Sequence, residues 1–308
     1  MNRSFWYVVN SVLFFIVCSF SVFSTTARTA IVVDVLSSEN FSTRYQEFLD
    51  GKSPLDIQHF HPSTNGSHIE IIEMVLLQQA LYLGGETRAV EFRPQPAVNS
   101  LEYDALIAGD SVLIGRSVWH QDIIELKGSL YVSEAIVDVG QYEAGLYVTK
   151  RNISLQDLPA ERLDQITVVA NPRWHSDWQA LNNIDVNLIS FIGPWETMLN
   201  MVENQVADAM LINFSVSESL SLNFEGREYV PIKNIKVLLP DSRHFVVSKR
   251  HPEGAVVAQA LNKGLKILKE RGVIERALRE SGFINSQVKH WTSVNQHMLP
   301  SMVERESK

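Results

Sequence analysis

Apolar residues along this chain fall into two alternating patterns: short continuous runs, and longer stretches where they recur three or four positions apart. Ala30-Ile31-Val32-Val33-Asp34-Val35-Leu36 is a compact run rich in β-branched residues and reads as a buried first strand. Residues 37 to 67 are polar and carry no clear period. Ile69, Ile72, Leu76, Ala80 and Leu83 then share one helical face, widened by Met74, Val75 and Leu77. Ser67 and Glu70 have capping-box spacing at its start, and Gly84-Gly85 supply a positive-φ exit. Arg88 to Phe92 alternates as a strand, ended by Pro94 and Pro96. Tyr103 to Ala108 reads as another strand with a short helix before it. Val112-Leu113-Ile114 is a third short apolar run, and Asp110 to Val132 holds a helical turn and a strand. Gly145 to Thr149 is again a strand.

The same rhythm continues beyond it. Ile166 to Ala170 is a buried strand, and Ser176 with Gln179 has capping-box spacing for a short helix through Leu181. Val186 to Ile189 is a strand. Gly193-Pro194 opens a helix with proline at the first helical position and Trp195, Met198, Leu199 and Val202 on its apolar face. Ala207 to Ile212 is the next strand, and Val230 to Leu239 and Phe245 to Ser248 are extended runs that can carry the chain back to the first lobe. Pro252 opens a long helix striped by Val257, Leu261, Leu265 and Leu268 and ended by Gly272; a shorter one runs from Val273 to Ser281. From Ser286 the sequence is polar, and a mobile tail is expected. Strands alternating with helices predict an α/β architecture, with mixed sheets flanked by helices. Two such units joined twice make two lobes with a cleft between them. The expected division is residues 28–149 plus 240–283 for lobe 1, 150–239 for lobe 2 and 284–308 for a C-terminal tail.

Composition sharpens this. The 308 residues are 45 % apolar and 20 % charged, ordinary for a folded chain and enough for two lobes. A net charge of -8 without a Lys/Arg cluster argues against nucleic acid. Arg3 is the only charge before Arg28, and between them runs an apolar stretch from Phe5 to Phe23 that closes on Thr25-Thr26-Ala27. That is the layout of a cleaved signal peptide, residues 1–27, and implies export to the periplasm. The single cysteine, Cys18, lies inside it, so disulfide and thiolate chemistry drop out of the mature chain. No later run reaches the length of a membrane span.

Local catalytic signatures are missing: there is no Gly-x-Gly-x-x-Gly, Walker loop, His-Glu-x-x-His or Gly-x-Ser-x-Gly. His59, His61 and His68 are dense enough to bind zinc or copper. No cysteine follows, however, and no acid stands at a diagnostic spacing, so a polar loop leading into a helix is expected there and no metal. Two polar-aromatic groups remain. Arg173-Trp174-His175-Ser176-Asp177-Trp178 follows a strand and precedes a helix, which in α/β folds places it at the mouth of a cleft. Arg173 can pair with a ligand anion and a tryptophan can wall a ring, while His175 and Asp177 have the chemistry of a proton-transfer pair without a nucleophile beside them. Arg116, Trp119, His120 and Asp122 form the second group, in which Arg116 can clamp a carboxylate. The alternative for both groups is ordinary packing by the tryptophans and solvated charges.

Three stretches resemble the bacterial periplasmic solute-binding proteins of the type 2 fold, in the group related to polar amino acid receptors (family 3-like). They are Asp104-Ala105-Leu106-Ile107-Ala108-Gly109 followed by Arg116; Gly145-Leu146-Tyr147-Val148 with Ser154 to Leu158 and Ile166-Thr167-Val168; and Met198 to Val202 with Val206-Ala207-Asp208-Ala209. Their order covers about residues 30–283. The resemblance implies a two-lobed α/β fold with a double-crossover hinge, at residues 148–151 and 236–246, and Arg116 as the substrate-carboxylate arginine. Asn171-Pro172-Arg173-Trp174 stands where the family has a Gly-Ser/Thr pair, and Asn213 is the nearest match to the family's ligand-binding acid. These departures point away from an ordinary α-amino acid. The expected ligand contacts are Arg116, Arg173, Trp174 as a stacking wall and Asn213 as a neutral hydrogen-bonding group. The expected activity is capture of a small polar solute by a monomer without cofactor, for a membrane permease of the ABC type. Alternatives are a sensory module reporting to a membrane sensor protein and, further off, an enzyme using His175 and Asp177.

Overall fold

A computed structural model describes residues 30–36, 41–61, 69–95 and 99–298. The expected signal segment with its cut after Ala27, the expected Ser67 cap, His68 and residues 299–308 lie outside the described residues. The chain opens with β1 (Ala30–Leu36), α1 (Phe41–Leu49), α2 (Ile69–Gly84), β2 (Ala89–Gln95), α3 (Asn99–Ala108), β3 (Val118–Trp119) and β4 (Leu130–Val137). Next come β5 (Glu143–Thr149), α4 (Ile153–Gln156), β6 (Thr167–Ala170), α5 (His175–Leu181), β7 (Asn187–Ser190), α6 (Trp195–Glu203), β8 (Ala209–Asn213), β9 (Leu222–Phe224), β10 (Arg227–Pro231) and β11 (Ile235–Leu238). The last elements are β12 (Arg243–Ser248), α7 (Gly254–Glu270), α8 (Val273–Glu280) and β13 (Thr292–Ser293).

The elements form two packed α/β bodies. In the first, β1 pairs in parallel with β2, from Ala30 opposite Ala89 to Leu36 opposite Gln95. Residues 113–114 bridge β1 to β12, with Asp34 opposite Ile114 and Leu113 opposite Val247, and β12 pairs antiparallel with β3 and β4. Helix α2 is buried on most sides because α7 packs against it, with Ile72, Leu76 and Ala80 fully inaccessible and Val257, Leu261 and Leu265 facing them. Residues before 138 and residues 243–280 therefore share one core. The second body is a mixed sheet in the order β13-β11-β5-β8-β6-β7, with β10 also on β5 and β9 on β10. Strands β6, β7 and β8 run parallel and carry helices α5 and α6 in their connections. The architecture is the two-lobed α/β arrangement that the patterning predicts.

Several local expectations change. Tyr103 to Ala108 is helix, not strand: Gly109, at φ +87°, provides a left-handed exit, and the amides of residues 109, 110 and 111 all return to the Ala105 carbonyl. Ser176 does not cap α5. Its hydroxyl donates to Asp241 Oδ2 at 2.6 Å, a tertiary bond that replaces the local one. Pro194 sits just before α6, and its carbonyl accepts from Thr197 and Met198.

The crossings also move. The chain leaves the first sheet at Val137 and joins the second at Glu143, ahead of the expected division at 149/150 and hinge at 148–151. The return, between Leu238 and Arg243, falls inside the expected 236–246 window. Residues 286–298 are packed rather than a loose tail. Thr292-Ser293 pairs in parallel with β11, Trp291 stacks edge-on to Phe214 at 5.4 Å, and Asn295 is fully buried.

Candidate functional site

Strand β6 ends at Ala170, and the turn that follows is built by Asn171. Its side-chain oxygen accepts from the Arg173 amide at 3.0 Å, its carbonyl accepts from the Trp174 amide, and its Nδ2 donates to the Gly193 carbonyl. The turn aims Arg173, Trp174 and the first residues of α5 away from the carboxyl ends of three parallel strands. In α/β sheets that is where ligands bind.

The first body meets this turn with the segment leading into β3 and the short helical stretch Gln121–Leu126. Between them lies a cavity of about 440 Å³, lined by Tyr103, Arg116, Trp119 and Asp122 on one side and by Arg173, Trp174, His175, Ser176 and Asp177 on the other. A larger cavity, about 570 Å³, lies beside the ends of α2 and α7. It is a one-sided surface groove far from the strand ends, and it gathers no comparable set of groups from both bodies.

The segment carrying Arg116 and Trp119 is held by a buried ion pair. Glu73 on α2 is inaccessible to solvent and accepts from the Ser117 amide at 2.8 Å and the Ser117 hydroxyl at 2.5 Å. Arg243 on β12 donates Nε to the same hydroxyl and Nη2 to the Ser117 carbonyl, with Nη2 3.4 Å from Glu73. Its guanidinium lies over Trp119 at 5.1 Å and Phe283 at 5.9 Å. Burial pushes the Glu73 carboxyl upward, against the opposing pull of Arg243 and the Ser117 hydrogen bonds.

Across the cleft, His175 Nδ1 stands 2.9 Å from Asp122 Oδ1. Asp241, on the return crossing, accepts from Ser176 of one side and from the Gln121 amide of the other. Asp177 is partly buried, and its carboxyl is pushed up to about 7 by burial and by the neighbouring charge of Asp122. It therefore changes protonation near neutral pH and can offer either an O–H or a carboxylate oxygen. Two arginines, two acids and two tryptophans in one cavity suit a small polar molecule with an anionic end and a hydrogen-bond-donating end.

Three of the four expected contacts, Arg116, Arg173 and Trp174, meet in this cavity. Asn213 does not: it ends β8 opposite Ala144, exposed, and is absent from the lining. His175 pairs with Asp122 in the other body rather than with Asp177. His120, from the same sequence group, tilts against His244 at 5.6 Å instead of facing the cavity. Sequence does not mark Tyr103 or Asp241: Tyr103 reads as part of a strand, and nothing local distinguishes Asp241 from a surface acid. The cluster of His59, His61 and Glu280 lies away from the cleft.

No known family model and no curated protein matches the sequence. Solved structures do match. The Bordetella pertussis BvgS periplasmic VFT2 domain aligns at TM-score 0.51 and 18 % identity over 81 % of this chain and 92 % of that one. The second substrate binding domain of Lactococcus lactis GlnP, in an open conformation, gives 0.50 and 13 % over 85 % and 98 %. The probable amino-acid ABC transporter extracellular-binding protein ytmK of Bacillus subtilis gives 0.50 and 13 % over 81 % and 95 %. At these identities the likeness establishes the fold, that of two-lobed periplasmic binding domains of type 2.

Proposed function

We propose that this chain is an extracytoplasmic solute-binding protein that captures a small polar, carboxylate-bearing solute between its lobes and presents it to a membrane permease. One observation carries the reading: Arg116 and Arg173 reach the same cavity from opposite lobes, each beside a tryptophan. Arg116 clamps the solute's anion, Trp119 and Trp174 wall its body, and Asp177 meets a hydrogen-bond donor. Closure is a hinge motion at residues 138–142 and 239–242. Asn213, outside the cavity, has no part in it. The named binding domains that share the fold support solute capture outside the cytoplasm.

A second reading gives the same cleft a sensory partner in the membrane. The BvgS periplasmic domain among the structural matches favours keeping it beside the first. For the enzymatic alternative, the Ser176 hydroxyl donates to Asp241 and His175 pairs with Asp122, so Ser176 and His175 do not form a Ser–His pair.

Tryptophan fluorescence and calorimetry with a panel of amino acids, short carboxylates and polyols test the proposal. Saturable binding is expected for at least one carboxylate, and Arg116→Ala should weaken it by about ten- to a hundredfold. Folded protein that binds no member of the panel overturns the reading. Turnover of a bound solute that His175→Ala abolishes would replace it with the enzymatic one.

A further inference from the structure

His59 and His61 flank Phe60, whose side chain is fully buried. The two exposed imidazoles stand on the same side of this anchor, nearly parallel at 8°, with ring centroids 6.1 Å apart. They face one carboxylate from a distant part of the chain, Glu280 in the last turn of α8. His59 Nδ1 is 3.3 Å and His61 Nε2 is 3.8 Å from the same atom, Glu280 Oε1. All three donor atoms lie within 4.8 Å of one another. Donors around a tetrahedral metal, with bonds of about 2.0–2.1 Å, stand roughly 3.4 Å apart. The Glu280 oxygen, at 3.3 and 3.8 Å from the two imidazole nitrogens, already stands near that spacing, and both rings are exposed.

The carboxylate is preset for the role. The Phe60 amide donates to Oε2 at 2.6 Å, which fixes the group and leaves Oε1 turned toward the imidazoles. The segment is pinned a second time by Arg276 of α8, whose Nε donates to the Gln58 carbonyl at 3.2 Å. Phe60 and Gln58 thus hold both histidines in place independently of any contact the imidazoles make.

We infer that His59, His61 and Glu280 form a binding site for a borderline divalent cation, Zn²⁺ in the first instance. Two imidazoles and one carboxylate suit Zn²⁺ or Cu²⁺ and not Mg²⁺ or Ca²⁺, and three protein ligands leave a fourth position for water. The ligands are about 220 residues apart in the chain, so the ion staples the segment before α2 to α8 and binds only the folded state. The site lies outside the cleft and does not depend on the solute-binding proposal.

The test uses untagged protein stripped with a chelator and titrated with ZnCl₂ by calorimetry, with thermal unfolding followed alongside. One Zn²⁺ per chain and a higher unfolding midpoint are expected, and Co²⁺ should give the visible absorption of a four-coordinate site. His61→Ala and Glu280→Gln should each weaken Zn²⁺ binding by about tenfold or more and remove the thermal shift. Glutamine preserves the acceptor for the Phe60 amide. His61 is exposed, so that variant stays folded even if Glu280→Gln does not. Absence of binding at millimolar Zn²⁺, or binding unchanged in His61→Ala, overturns the site. Either result leaves the fluorescence titrations of the cleft unaffected.

Discussion

Asp177 and Glu73 are carboxyls that burial drives upward, with different consequences. Asp177 lines the cavity beside Asp122, and burial together with that charge puts its folded-state value at about 7, above the ordinary 3.8. Between those values the folded chain keeps a proton that the unfolded chain has released, so this group's contribution to stability declines as pH rises through the window. Asp177→Asn should exceed the wild type by about 1–2 kcal/mol at pH 8, with the difference fading toward about pH 3.5, in urea unfolding at both pH values. Glu73 instead has partners. Glu73→Ala leaves Arg243 inside the first lobe without its counter-charge and the Ser117 amide without its acceptor, and should cost about 3 kcal/mol in urea unfolding. Glu73→Gln, which retains an acceptor, should cost less. Trp119 fluorescence should also shift in Glu73→Ala, because the arginine over its ring loses its anchor.

Among the elements, the α2–α7 contact shows local propensity losing to packing. A Cβ on Gly264 would meet the Ala80 carbonyl oxygen at 1.7 Å, and one on Gly84 would meet that of Ala260 at 1.8 Å. The two helices touch backbone to backbone there. Propensity alone favours alanine in a helix interior by about 1 kcal/mol. Gly264→Ala should nevertheless destabilise by about 1–3 kcal/mol in thermal or urea unfolding, because the backbones cannot part without opening the core. Elements were legible from sequence where one face or the whole run was apolar, as in β1, α2, β6 and α7. Helix α3 reads as strand because Tyr103 to Ala108 is a short apolar mix whose period is ambiguous, and Gly109 is the helix-ending signal just past it.

At the scale of the whole molecule, the second lobe is closed by a segment that reads as tail. Asn295 accepts from the Leu238 amide at 2.9 Å and donates to the Leu238 carbonyl at 2.8 Å, completing the backbone of β11 beside the return crossing. Asn295→Ala should cost about 1–3 kcal/mol in denaturant unfolding, because both backbone groups stay buried and lose their partner. The sequence by itself determined the α/β class, most of the strands and long helices, and the two polar-aromatic groups at Arg116–Asp122 and Arg173–Trp178. Those depend on periodicity and residue chemistry, which are local. Only the tertiary structure decided that the two groups share one cavity, that His175 pairs with Asp122, that Asn213 stands apart, and that Glu280 reaches His59 and His61. Contacts between residues 50 to 220 positions apart are set by how strands are ordered and helices packed, and no local pattern encodes that distance.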